Sequence, residues 1–291
     1  MPGPLISADE LAELIASGAP VRLLDVRWRL DRPDGLPAYL DGHIPGAVYV
    51  DLDHELADDG ASPLEGRHPL PAGEALQRAA RRWGIHDGDT VVVYDDLKSL
   101  SAARAWWLLT DAGLADVRIL DGSLRAWTAS GRELAQGEEH VEPGSVSLHP
   151  GHLPVLDIDD AAELAGSGIL LDVRAEERYR GDAEPIDPRA GHIPGAVNLP
   201  TTGNVDADGR FLDPDALRAR FAAAGVQPDA TVGVYCGSGV TASHAALALV
   251  LAGYRPHLYP GSWSQWSNHP DRPVAVGSEP GAPAARKEHA S

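Results

Sequence analysis

Short β-branched runs alternate with stretches of helical periodicity along most of the 291-residue chain. In the first half, VRLLDV (21–26), AVYV (47–50), TVVVY (90–94) and VRIL (117–120) read as strands. Between them, SADELAELIAS places Leu11, Leu14 and Ile15 at helical spacing behind Ser7 as N-cap, with Asp9 and Glu10 in the first turn. AARAWWLLTDAG reads as a further helix stopped at Gly113. Strands alternating with helices predict an α/β fold, with a parallel sheet flanked by helices on both faces.

The pattern is then written a second time. LLDVR at 23–27 returns at 170–174, and GHIPGAV at 42–48 returns at 191–197. DTVVVYDD (89–96) returns as ATVGVYCG (230–237), and LDGSLRAW (120–127) as YPGSWSQW (259–266). The offsets of 147, 149, 141 and 139 all lie near half the chain length, which marks a tandem duplication. The expected plan is a first domain at 1–140, a polar, Gly- and Pro-rich linker at 141–154, a second domain at 155–276 and a disordered tail at 277–291.

Composition narrows the function. A net charge of −19 argues against a nucleic-acid partner, which needs a basic face. No apolar run approaches the ~18 residues of a membrane span, and MPGPLISADE lacks the basic and apolar regions of a signal peptide. The single cysteine, Cys236, can form no internal disulfide. A cytoplasmic location is therefore expected.

Cys236 lies in VYCGSGVTAS (234–243), between a strand and a helix expected to begin near Thr241 or Ala242. Its counterpart in the first copy is Asp95, an unlikely exchange for a core cysteine, so the position is expected at an exposed strand end. Gly237 and Gly239 allow backbone angles that turn successive amides inward, forming an anion-binding nest at a helix N-terminus. Such a nest favours a thiolate. The plainer alternative is an inert, packed thiol.

With CGSGVT after a parallel strand, the duplicated LLDVR and GHIPGAV blocks resemble the rhodanese (sulfurtransferase) family over nearly the whole chain. The resemblance implies two tandem rhodanese-like domains, the first catalytically silent and the second carrying the nucleophile. It implies that Cys236 takes a sulfane sulfur from a small-molecule donor and holds it as a persulfide. A thiol acceptor, a thioredoxin-like reductant or cyanide then removes it. No metal or organic cofactor is implied, and no membrane or nucleic-acid partner. Cysteine phosphatases with a similar loop carry an arginine six residues after the cysteine, but here that residue is Ala242. HPGH at 149–152 has no cysteine partners for a zinc site.

Within the family, a Cys-Arg-Lys-Gly-Val-Thr loop resembles thiosulfate-preferring enzymes, whereas the neutral CGSGVT resembles the 3-mercaptopyruvate branch. The expected activity is transfer from 3-mercaptopyruvate, with thiosulfate as the alternative donor and a persulfide carrier for a dedicated partner as the alternative of another class. The resemblance assigns Arg178 to the donor's carboxylate and carbonyl, with Arg189 as a second cation. It assigns the amides and side chains of Gly237, Ser238, Gly239, Val240 and Thr241 to the donor and the persulfide. His43 is a candidate partner of Ser238 in polarising the donor, although its recurrence as His192 favours a structural role. Asp25 and Asp172 are expected to brace their loops. Trp263 and Trp266 either wall the site or pack.

Overall fold

The computed structural model describes residues 3–282, which form two compact units. The first comprises the chain up to Asp59, Leu70–Leu153 and Val205–Leu212. The second comprises Gly60–Pro69, Pro154–Asn204 and the chain from Asp213 onward. Each unit thus contains a short segment that in sequence belongs to the other repeat.

The first unit runs β1 (Leu5–Ile6), α1 (Ala8–Ala16), β2 (Val21–Asp25), α2 (Leu36–Asp41), β3 (Ala47–Tyr49), α3 (Leu52–Glu55), α4 (Gly73–Arg82), β4 (Thr90–Tyr94), α5 (Ala102–Asp111), β5 (Val117–Leu120) and α6 (Ser123–Ala129). Its sheet has the order β1-β5-β4-β2-β3, with every pair parallel. Ser7 caps α1 through a reciprocal pair: its Oγ accepts from the Glu10 amide, and the Glu10 carboxylate accepts from the Ser7 amide. Leu11, Leu23, Ile44, Val92, Leu120 and Trp127 pack into one core.

In the second unit the order is α7 (Ile158–Ser167), β6 (Ile169–Asp172), α8 (Glu176–Arg180), β7 (Val197–Asn198), α9 (Pro214–Ala223), β8 (Val232–Tyr235), α10 (Val240–Leu251), β9 (Pro256–Leu258) and α11 (Ser262–Asn268). The sheet order is β7-β6-β8-β9, again all parallel. Val155 makes a single parallel bridge to Leu258, the remnant of the edge strand that β1 provides in the first unit. Trp263 and Trp266 are fully buried in the core with Leu170, Ile193 and Tyr235, so they pack.

The duplicated motifs meet in space. Arg27 pairs with Asp25 and donates to the Gly42 carbonyl, while Arg174 pairs with Asp172 at 2.6 Å and donates to the Gly191 carbonyl at 2.7 Å. The LLDVR motif therefore clamps the turn that opens each GHIPG block. Burial pulls the Arg174 pKa down, but Asp172, Tyr235 and Glu184 together outweigh it, and the net direction is upward. The tyrosine ending each central strand completes the clamp, since Tyr94 Oη accepts from the Ile44 amide and Tyr235 Oη from that of Ile193.

Residues 141–154 are not a free linker. Val146 and Leu148 are buried, the Gly144 amide bonds the Arg81 carbonyl, and a Cβ on Gly144 would run into the Ile85 carbonyl. Polar composition hid two apolar anchors. His152 Nδ1 donates to the Asp111 carbonyl, and no group of His, Cys, Asp and Glu able to hold a metal occurs among the described residues. Of the tail expected at 277–291, residues 283–291 lie outside the described residues. Its first part docks on the second unit: the Gly277 amide bonds the Arg180 carbonyl, and Pro280 accepts from Gly195.

Candidate active site

Cys236 follows β8 directly, at the carboxyl end of a parallel sheet, where open α/β sheets place their ligands. The loop is three residues long before Gly239, which caps α10 in the left-handed region at φ +81°. That conformation excludes a side chain, because a Cβ there would lie 2.5 Å from the Pro260 carbonyl oxygen. The helix begins at Val240, slightly earlier than its sequence suggests.

The first turn of α11 orients the loop. The Trp263 and Ser264 amides bond the Cys236 and Gly237 carbonyls, at 3.0 and 2.8 Å, and Ser262 Oγ accepts from the Cys236 amide. With its carbonyls held on that side, the loop turns its amides the other way. The Gly239 amide lies 3.1 Å from Cys236 Sγ, and the amides of Gly237, Ser238, Val240 and Thr241 have no acceptor among the described residues. Five N–H groups are thus available to a sulfur anion and its cargo.

The silent copy displays the same device with its anion built in. Asp95 accepts from the amides of Leu97, Ser99, Ser101 and Ala102 and from Ser123 Oγ, all within 3.0 Å. Burial pushes its pKa up, and the four amides oppose that shift. Asp95 is 0% and Cys236 2% exposed, so the expectation of an exposed strand end does not hold. A carboxylate can be buried here because the nest satisfies it.

Asp95→Ala should therefore act on folding rather than chemistry. It leaves the amides of Leu97, Ser101 and Ala102 and the Ser123 hydroxyl without that acceptor, while the Ser99 amide keeps Ser123 Oγ, and one such buried group already costs ~1–3 kcal/mol. Thermal unfolding should shift downward clearly. Sulfur transfer, assayed below the transition, should stay within a few-fold of the parent, and a loss matching that of a Cys236 variant would place chemistry in the first copy.

Arg178 stands at the loop. A Cβ on Gly237 would lie 3.2 Å from Arg178 Nη1. Its Nε and Nη2 are engaged by Glu184, and Nη2 also by Asp187. Arg189 departs from expectation. Its Nε, Nη1 and Nη2 donate to the carbonyls of Ser267, Arg272, Trp266 and His269, so it clamps the end of α11 instead of meeting a donor. Burial among these carbonyls lowers its pKa.

The structure gives His43 partners other than Ser238. Its ring stacks on Tyr39 and meets the Tyr39 carbonyl through Nδ1, and His192 repeats both contacts with Tyr179. Both are structural. The partner of Ser238 is His68, whose Nδ1 lies 2.7 Å from Ser238 Oγ with both residues buried. Arg67, beside it, brings Nη2 to within 3.5 Å of the Gly237 Cβ position.

Neither residue is evident from the sequence, because EGRHP (65–69) reads as a loop of the first repeat. One signal was available: GRH at 66–68 aligns with GRF at 209–211, so the arginine recurs while the histidine does not. The Ser264 Oγ and Gln265 and His269 side chains hold this segment against α11.

A lone cysteine in a loop between strand and helix, on a duplicated unit with parallel sheets, places the chain among open α/β proteins with a loop cysteine. The rhodanese-like domain model matches residues 7–130 and 157–269. "Putative thiosulfate sulfurtransferase SseB" of Mycobacterium tuberculosis is 50% identical over 94% of this chain and 97% of its own length. The 3-mercaptopyruvate sulfurtransferase of Escherichia coli K12 is 35% identical over 92% and 96%. The crystal structure of SseA from Escherichia coli, a 3-mercaptopyruvate sulfurtransferase fold, superposes with a TM-score of 0.79 at 33% identity, covering 90% of this chain and 99% of that one. The chain belongs to the rhodanese family and is a two-domain sulfurtransferase. No helix among the described residues is long and apolar enough to cross a membrane.

Proposed function

We propose that the protein moves a sulfane sulfur from 3-mercaptopyruvate through a Cys236 persulfide to a thiol or cyanide. The observation that carries this reading is the Gly239 amide at Cys236 Sγ, in a loop whose neighbouring amides have no acceptor among the described residues and which contains no cation. Cys236 thiolate attacks the donor sulfur, the S–S bond forms, and the C–S bond breaks with its electron pair passing to the enolate of pyruvate. His68, protonated on Nδ1, donates to Ser238 Oγ and leaves the Ser238 hydroxyl to donate to the developing enolate oxygen. A proton then completes pyruvate. The loop amides of Gly237 to Thr241 hold the outer sulfur until a small thiol, a thioredoxin-like protein or cyanide attacks it.

Arg178 Nη1 faces the donor, while Glu184 fixes the rest of its guanidinium. No cofactor takes part in this sequence. A cytoplasmic location fits a chain whose one thiol must stay reduced.

Thiosulfate is the second reading, favoured by the name of the 50% identical relative. Turnover with each donor under identical conditions, with cyanide as acceptor, separates the two. The expected result is higher kcat/KM with 3-mercaptopyruvate, and preference for thiosulfate would replace the donor while leaving the persulfide route standing.

A further inference from the structure

Resting on the sulfurtransferase reading, we propose that Arg67 is the donor-binding cation that Arg189 was expected to be, and that Asp187 positions it. Three observations support the assignment. First, Arg67 Nη1 is tied to Asp187 Oδ1 at 2.8 Å, and Asp187 Oδ2 accepts from Arg178 Nη2 at 3.2 Å. One carboxylate, itself 3% exposed, thus spaces two guanidiniums at the cysteine loop.

Second, the opposite edge of Arg67 is unengaged. Its Nε is buried without a partner, and no acceptor for Nη2 occurs among the described residues. Nε and Nη2 form the side-on fork that a guanidinium offers to a carboxylate. In Arg178 that fork is occupied by Glu184, and in Arg189 by main-chain carbonyls. Arg67 alone of the three keeps it free.

Third, the fork is aimed at the right place. Nη2 lies 3.5 Å from the Gly237 Cβ position, on the residue that follows the nucleophile, with Arg178 Nη1 beside it. Residue 237 therefore faces both guanidiniums. The family's cationic loop carries an arginine there, whose charge would repel this pair. Here the positive charge comes from Arg67 and Arg178 instead. A donor with a carboxylate several bonds from its sulfur fits that layout, since the sulfur can enter the nest while the carboxylate meets the fork.

The test uses the full chain and donor saturation kinetics, with cyanide discharge of preloaded persulfide measured separately. Arg67→Gln should lower kcat/KM for 3-mercaptopyruvate about ten- to hundredfold, mainly through KM, and leave discharge unchanged. Arg67→Lys, which keeps the ion pair with Asp187 but loses the fork, should recover only part of that loss. Asp187→Asn should raise KM less than Arg67→Gln, and the double variant should be no worse than Arg67→Gln alone. Unchanged donor KM in both Arg67 variants would overturn the assignment while leaving Cys236 transfer intact. Equal losses in donor loading and discharge would overturn it too, by making Arg67 a general structural support. A parent protein that gains no sulfur from either donor would sink the sulfurtransferase reading itself, and this inference with it.

Discussion

Cys236→Ser should abolish sulfur transfer, to below about a thousandth of the parent rate, because a serine hydroxyl cannot carry the sulfane sulfur. The fold should survive. The Gly239 amide that lies against Sγ can donate equally to Oγ, and the exchange removes little volume from a loop position. A stability loss of only ~1 kcal/mol is expected. Intact mass after donor treatment provides the decisive comparison, with one sulfur added to the parent protein and none to the variant. Turnover retained by the variant would remove Cys236 from the mechanism.

Arg178→Ala should produce the next largest effect, and on two properties at once. Donor kcat/KM should fall about ten- to hundredfold through loss of the Nη1 group that stands beside Gly237. Stability should fall as well. Glu184, 3% exposed, would keep the Ile186 and Asp187 amides but, of its cations, only the weaker approach to Arg174 at 3.5 Å, and Asp187 would keep only Arg67. Breaking a buried pair from one side costs ~3–5 kcal/mol. Arg178→Lys separates the two, since it keeps the charge near Glu184 but not the planar fork. Donor KM should remain raised in the lysine variant while the thermal midpoint partly returns. A lysine variant with parental KM would show that Arg178 serves the fold alone.

What the sequence reveals here is what neighbouring residues decide among themselves. The capping box at Ser7 and Glu10 and the strand-to-cysteine junction each depend on a few adjacent positions, so pattern and repetition expose them. The Arg189 assignment fails because spacing to AGH places a guanidinium near the site without showing which acceptors already hold it. Burial of Asp95 was unreadable for a related reason: the charge is visible in the sequence, but the four amides that satisfy it are not. Arg67 and His68 escaped because their partners lie 120 and 170 residues away. The linker misled by composition, since Val146 and Leu148 anchor an otherwise polar stretch.

The passage of residues 60–69 into the second unit has a consequence for inheritance. The repeat without a nucleophile carries Arg67 and His68, so on the roles proposed for them it could not drift as an idle duplicate. Selection on sulfur chemistry would then reach into it at this segment. A recombination that kept residues 154–291 and discarded the first repeat would retain Cys236, Ser238 and Arg178, and still lose the histidine at Ser238 and the guanidinium with the free fork. Duplication has thus left the two halves as a single unit of descent, in which the nucleophile and part of its surroundings can only be passed on together.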